Sequence, residues 1–177
     1  KTFAPVVPRR FRGAGTIVSA DAPDPRHLYA LQAEGFVLRS DDGGGHWVRT
    51  PVGEGVRLLK IQFSDASRGW ILGRRVSGGS SLFLTDDGGA AWREIPLPRL
   101  EARSFHFADR RSGWMVAPQA ILHSIDGGRN WRRQRMAPSR FIRNFKFVSR
   151  DGAWAVGDNG FAARYEAPEK RSSPQGD

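Results

Sequence analysis

The chain contains no cysteine, which removes disulfide scaffolds, thiolate zinc sites, iron–sulfur clusters and cysteine nucleophiles together. Long apolar runs are missing as well. Stretches such as Gly69-Trp70-Ile71-Leu72 fall far short of the roughly 20 residues that carry a helix across a bilayer. Lysine is scarce, 4 residues against 24 arginines, so the formal net charge of +10 is carried by guanidinium groups. A GC-rich genome produces the same skew, and the charge by itself therefore defines no partner. The histidines His27, His46, His106 and His123 form no close pair of the kind a metal site uses, and neither a phosphate-binding glycine loop nor a serine elbow is present. The chain opens on Lys1, from which we expect an earlier segment, such as a signal peptide, to have been removed.

What the chain does have is aromatic and periodic. Its 177 residues make one domain or a piece of a larger one, and 39% hydrophobic content with 11 Phe and 6 Trp is enough to build a core. Three segments superimpose without gaps: Ser40-Asp41-Asp42-Gly43-Gly44-Gly45-His46-Trp47, Thr85-Asp86-Asp87-Gly88-Gly89-Ala90-Ala91-Trp92 and Ser124-Ile125-Asp126-Gly127-Gly128-Arg129-Asn130-Trp131. Each reads Ser/Thr-x-Asp-Gly-Gly-x-x-Trp, and the tryptophans are 45 and 39 residues apart. A second motif runs in the same phase, with Phe63-Ser64-Asp65 leading into Gly69-Trp70, Phe107-Ala108-Asp109 into Gly113-Trp114, and Phe147-Val148-Ser149 into Ala153-Trp154.

Between these landmarks polarity alternates with period two, as in Ser104-Phe105-His106-Phe107, which marks half-buried strands. Each unit reads as four strands, in the second unit Val56 to Ser64, Gly69 to Val76, Ser81 to Thr85 and Trp92 to Leu97. Four strands in about 40 to 45 residues is the arithmetic of a β-propeller blade. The fold class is therefore all-β, a propeller of four-stranded antiparallel blades. Its four visible repeats cover 15–50, 55–97, 102–135 and 141–166, as a closed small ring or part of a larger one. The fourth repeat lacks its box and outer strand. Residues 1–14 form an arm whose Thr2–Val7 stretch is a candidate closing strand, with Pro5 and Pro8 tolerable on an edge, and 167–177 read as a disordered tail.

Turn chemistry explains the box. Asp42, Asp87 and Asp126 can accept backbone N–H groups of their own turn, Ser40, Thr85 and Ser124 can add a second bond, and the glycines, Gly44, Gly89 and Gly128 among them, permit positive φ. Trp47, Trp92 and Trp131 cover the turn. A calcium loop would need more oxygen donors and a distal bidentate Glu, so these residues are read as structural, with no metal and no cofactor expected.

At these residues the sequence resembles the BNR or Asp-box repeat superfamily, which includes sialidases, xyloglucan hydrolases and sortilin-type receptors. It is most like the photosystem II assembly or stability factor branch and its bacterial relatives. That resemblance implies a non-enzymatic, extracytoplasmic propeller that binds a protein partner and assists assembly of a membrane complex. A carbohydrate-active propeller, sialidase-like or lectin-like, is the alternative. The Arg-Ile-Pro signature of sialidases is absent, and only Tyr29 and Tyr165 could serve as a tyrosine nucleophile. A truncated ring without independent function is a third reading.

With the strands so assigned, boxes and first-to-second-strand loops share one face. The opposite face would gather Arg57, Arg74, Arg75, Arg99, Arg103, Arg135, Arg140 and Arg143, with Arg103 and Arg143 at matching positions near the channel mouth. Clustered arginine suits bidentate carboxylate and phosphate contacts. The expected partner is a protein, such as a membrane-complex subunit, with an anionic membrane surface as a second candidate. Nucleic acid is disfavoured because the aromatics that could stack on bases are needed in the blades.

Overall fold

The computed structural model describes residues 15–95, 97–118, 120–134, 142–149, 152–157, 160 and 162–166; from 142 onward the side chains described are those of Trp154, Val156, Ala162, Ala163 and Arg164. The expected N-terminal closing strand and C-terminal tail lie outside the described residues.

Among the described residues fifteen strands form four antiparallel sheets. The first orders β1 (Ile17–Asp21), β2 (Leu28–Gln32), β3 (Phe36–Ser40) and β4 (Val48–Pro51) from inside to outside. The second repeats this with β5 (Val56–Phe63), β6 (Gly69–Arg75), β7 (Ser80–Thr85) and β8 (Arg93–Ile95), and the third with β9 (Ser104–Phe107), β10 (Gly113–Ala117), β11 (Ala120–Ser124) and β12 (Arg132–Arg133). The fourth has three strands among the described residues, β13 (Ile142–Ser149), β14 (Gly152–Gly157) and β15 (Ala162–Glu166). Each sheet is a meander in chain order, the topology of a propeller blade. In β9 the alternation survives as half-buried Ser104 and His106 against buried Phe105 and Phe107, while β6 and β10, covered on both sides, are buried through their apolar residues.

The core lies in the seams between sheets. One cluster joins Tyr29, Leu31 and Val37 of the first sheet to Val56, Leu58, Ile61 and Phe63 of the second. The next joins Trp70, Leu72 and Leu84 of the second sheet to Phe105, Phe107 and Met115 of the third. At both of these seams an aromatic ring of the earlier sheet lies flat on the last phenylalanine of the next inner strand: Tyr29 on Phe63 at 3.6 Å and Trp70 on Phe107 at 3.7 Å. The box tryptophan of the later sheet then meets the same ring edge-on, Trp92 on Phe63 at 5.9 Å and Trp131 on Phe107 at 6.0 Å. Each phenylalanine is thus covered on its face by one blade and on its edge by another, and such aromatic pairs add about 0.5–1.5 kcal/mol beyond area burial.

Polar side chains of the inner strands stitch the same seams. Asp21 accepts the Phe63 N–H at 2.6 Å, and Gln62 both donates to the Phe107 carbonyl at 2.8 Å and accepts its N–H at 2.9 Å. Lys60 Nζ donates to the Phe105 carbonyl at 2.7 Å. The seam pattern changes at the fourth sheet. Trp154 takes the place of Trp70 and Trp114, which are 0% and 1% exposed, yet is itself 46% exposed.

Candidate functional site

The three boxes share one wiring diagram. Ser40, Thr85 and Ser124 each accept the N–H of the residue four positions on, Gly44 at 2.8 Å, Gly89 at 2.9 Å and Gly128 at 2.8 Å. Their hydroxyls donate to Asp42, Asp87 and Asp126 at 2.9, 2.7 and 2.8 Å. Those carboxylates in turn accept the N–H of His46, Ala91 and Asn130 at 2.9, 3.0 and 2.9 Å. Two consecutive glycines with φ of 74° and 99°, 70° and 84°, and 76° and 90° carry the chain through each turn, a backbone that L side chains rarely adopt.

The first glycine of each pair then donates across the blade to the first-to-second-strand loop: Gly43 to the Arg26 carbonyl, Gly88 to Ser67 and Gly127 to Arg111, each at 2.8 Å. Asp24, Asp65 and Asp109 close those loops by accepting the two N–H groups that follow, Arg26 and His27, Ser67 and Arg68, and Arg111 and Ser112. Each of the three box-bearing blades therefore carries a second structural aspartate.

Backbone and side-chain donation from His46 holds the Asp42 carboxyl well below the usual range, and the Ala91 N–H with the Thr85 hydroxyl lowers that of Asp87. At Asp126 burial works the other way, but the Asn130 backbone and amide and the Ser124 hydroxyl outweigh it. Among the described residues no three carboxylate or imidazole side chains converge as a metal site. Of the box indoles Trp47 donates, to the Gly44 carbonyl at 2.9 Å.

A cavity of about 350 Å³ opens at the box end of the second and third blades, lined by Arg68, Arg110, Arg111, Arg129 and Asp126. Three of its guanidiniums come from first-to-second-strand loops and Arg129 from the third box. Arg110 is fixed across the seam by both oxygens of Asp65 at 2.7 Å and by Ser67 at 2.6 Å, and its contact is the main reason the Asp65 carboxyl is strongly depressed. Arg68, with 10% of its side chain exposed, pairs with Asp86, which also holds Arg93 at 3.1 Å. The buried Arg68 Nε has no acceptor among the described residues. Arg111 Nε reaches the Ile125 carbonyl at 3.4 Å and Arg129 Nη1 the Asp126 carbonyl at 3.0 Å, and among the described residues neither has a carboxylate partner. Four cations facing one already engaged carboxylate make a concave anion-attracting site.

The arginines singled out from the sequence sit elsewhere. Arg57 and Arg74 are exposed cross-strand neighbours on β5 and β6, Arg75 is half-buried against Glu94, and Arg99 and Arg103 are exposed in and beside the linker to β9. Arg135 and Arg140 fall outside the described residues, and Arg143 lies in β13 without a described side chain. Sequence reasoning passed over Arg68, Arg110, Arg111 and Arg129. Applying the repeat alignment to charge as well as to aromatics would have found them, since all four lie in loops of the box end.

Blades stapled by Asp boxes, stacked aromatic seams and a cationic cavity at one end define an Asp-box β-propeller. The chain belongs to the family described as Photosynthesis system II assembly factor YCF48, whose model matches residues 50–139. It is 32% identical over 80 residues to the photosystem II assembly lipoprotein Ycf48 of Synechococcus sp. (strain CC9902), across 42% of this chain and 23% of that protein. It is 40% identical over 63 residues to the chloroplastic photosystem II stability/assembly factor HCF136 of Cyanidioschyzon merolae, across 34% of this chain and 14% of that one. Among solved structures, one described as YCF48 bound to D1 peptide superimposes with a TM-score of 0.67 at 24% identity, covering 88% of this chain and 52% of that one. The chain thus spans about half the length of that solved relative.

Proposed function

We propose that this chain acts as a non-catalytic, extracytoplasmic assembly factor that binds a carboxylate-bearing segment of a membrane-complex protein in the cavity of Arg68, Arg110, Arg111 and Arg129. The observation that carries the reading is charge left over at that cavity. Asp65 and Asp86 occupy Arg110 and Arg68, whereas Arg111 and Arg129 touch only backbone carbonyls among the described residues. Guanidinium pairs favour carboxylates bidentately. A solved relative described as bound to D1 peptide supports a peptide as the guest, and relatives described as a lipoprotein and as chloroplastic support work outside the cytoplasm. Membership of an assembly-factor family favours this reading over the carbohydrate-active alternative.

The opposite face, with Arg57, Arg74, Arg75, Arg99 and Arg103, is the second candidate because Arg57 and Arg74 pair as exposed like charges. Charge reversal separates the two. Binding of a labelled acidic peptide to the full chain should fall at least about tenfold in Arg111→Glu/Arg129→Glu and stay near wild type in Arg57→Glu/Arg74→Glu. The reverse pattern moves the docking site to the second face. Absence of peptide binding together with binding of sialylated or β-linked glycans refutes the assignment.

A further inference from the structure

Aligned residue by residue, the three boxes break their charge pattern at two places: the sixth position, where Gly45 and Ala90 give way to Arg129, and the second. The residue after the hydroxyl is Asp41 in the first, Asp86 in the second and Ile125 in the third. Asp41 holds Arg39 at 3.1 Å, and Asp86 holds both Arg68 and, at 3.1 Å, Arg93. In these boxes the blade neutralises its own arginines. At the third an aliphatic side chain stands in the same position, 61% exposed. Arg111 and Arg129, beside it, make contacts to the Ile125 and Asp126 backbone oxygens.

We propose that Ile125 is the specificity-determining residue of the cationic cavity. By omitting the acid found in the other two boxes it leaves Arg111 and Arg129 to a carboxylate brought by the partner, and it offers that partner an apolar contact beside the charge. The inference rests on the cavity being a peptide site and names the segment it takes, one in which an aliphatic or aromatic residue adjoins an acid. The physics favours this composite guest. Exposed ion pairs contribute little and are screened by salt, whereas covering an isoleucine adds a term that salt does not screen. An acid placed at 125 would be tethered to the arginines and would outcompete any free carboxylate through its effective concentration.

The test uses the full chain and two labelled synthetic hexapeptides of equal charge, one alternating Asp with Leu and the other Asp with Ser, titrated by fluorescence anisotropy at low and high salt. Wild type should prefer the Asp–Leu peptide by about tenfold, with the preference retained at high salt. Ile125→Asp should lose at least about tenfold toward both peptides. Ile125→Asn, which removes the apolar surface without adding charge, should bind the Asp–Ser peptide like wild type and lose the preference for Asp–Leu. Thermal melts of both variants should match wild type, since the side chain is exposed. Equal affinity of wild type for the two peptides overturns the inference. So does an Ile125→Asp variant that binds like wild type while Arg129→Glu does not, a result that keeps the cavity reading. Failure of wild type to bind either peptide removes the cavity reading itself and this inference with it.

Discussion

Thr85 provides the sharpest test of the box as a hydrogen-bonded staple. Its hydroxyl donates to Asp87 at 2.7 Å and accepts the buried Gly89 N–H at 2.9 Å, on a residue 1% exposed. Thr85→Val keeps the shape and deletes the oxygen. The Gly89 donor is then buried without an acceptor, at a cost of about 1–3 kcal/mol, and Asp87 loses a hydroxyl donor at a net cost of about 1 kcal/mol. The added methyl returns less than about 1 kcal/mol. A destabilisation of about 2 kcal/mol follows, and with a urea slope of about 2 kcal/mol/M the midpoint should fall by about 1 M. Thr85→Ser keeps the oxygen and sacrifices one methyl group, about 0.8 kcal/mol. Tryptophan fluorescence during urea unfolding reads all three proteins, with calcium and with chelator. A Val variant matching wild type, a Ser variant as unstable as Val, or a wild type destabilised by chelator would refute the staple.

Gly127→Ala should cost about 1–3 kcal/mol, because φ is +76° and the new Cβ would lie 2.9 Å from the Arg110 carbonyl and against the Arg68 guanidinium; urea unfolding measures the loss, and peptide anisotropy shows whether the cavity goes with it. Trp70→Ala should cost about 3–5 kcal/mol, as the ring stacks on Phe107 and donates to the Gly127 carbonyl. Trp154→Ala, at the equivalent but exposed position, should cost less than half as much by the same measurement. Acid should act in two stages. Burial pulls His106 and His123 below their usual 6.5, so the unfolded chain takes up protons first and stability declines as pH falls from about 6.5. Asp42, Asp65 and Asp87 are held below 3.8, so the stability they give is intact above that value and lost as pH falls through their folded values. Thermal melts across pH should show both limbs, and His123→Phe, which keeps a ring on Trp114, should flatten only the upper one.

The blades were legible because their determinants are local and repeat. The residue types at positions one, three, four, five and eight of each box dictate the turn, and the second-unit strands expected at Val56 to Ser64 and Gly69 to Val76 match β5 and β6 to within a residue. The seams were only half legible. Periodicity marked Phe107 and Trp70, but their stacking joins residues 37 positions apart on different sheets, which no local pattern states. The cavity was least legible. Arg68 and Arg110 meet because consecutive blades place equivalent loops side by side, while the arginines assembled from the sequence were grouped on the other face by loop type. Asp65 shows the same limit, since its cap on Ser67 and Arg68 is local but its bridge to Arg110 crosses a seam.

The stacked seams carry an evolutionary corollary. Tyr29 on Phe63 and Trp70 on Phe107 are interchangeable joints, each asking only for a flat ring behind and a phenylalanine ahead. Unequal recombination between two boxes would delete or duplicate a whole unit and rebuild a joint of the same chemistry at the scar. Blade number in such a lineage can drift by genetic accident without any new packing problem having to be solved.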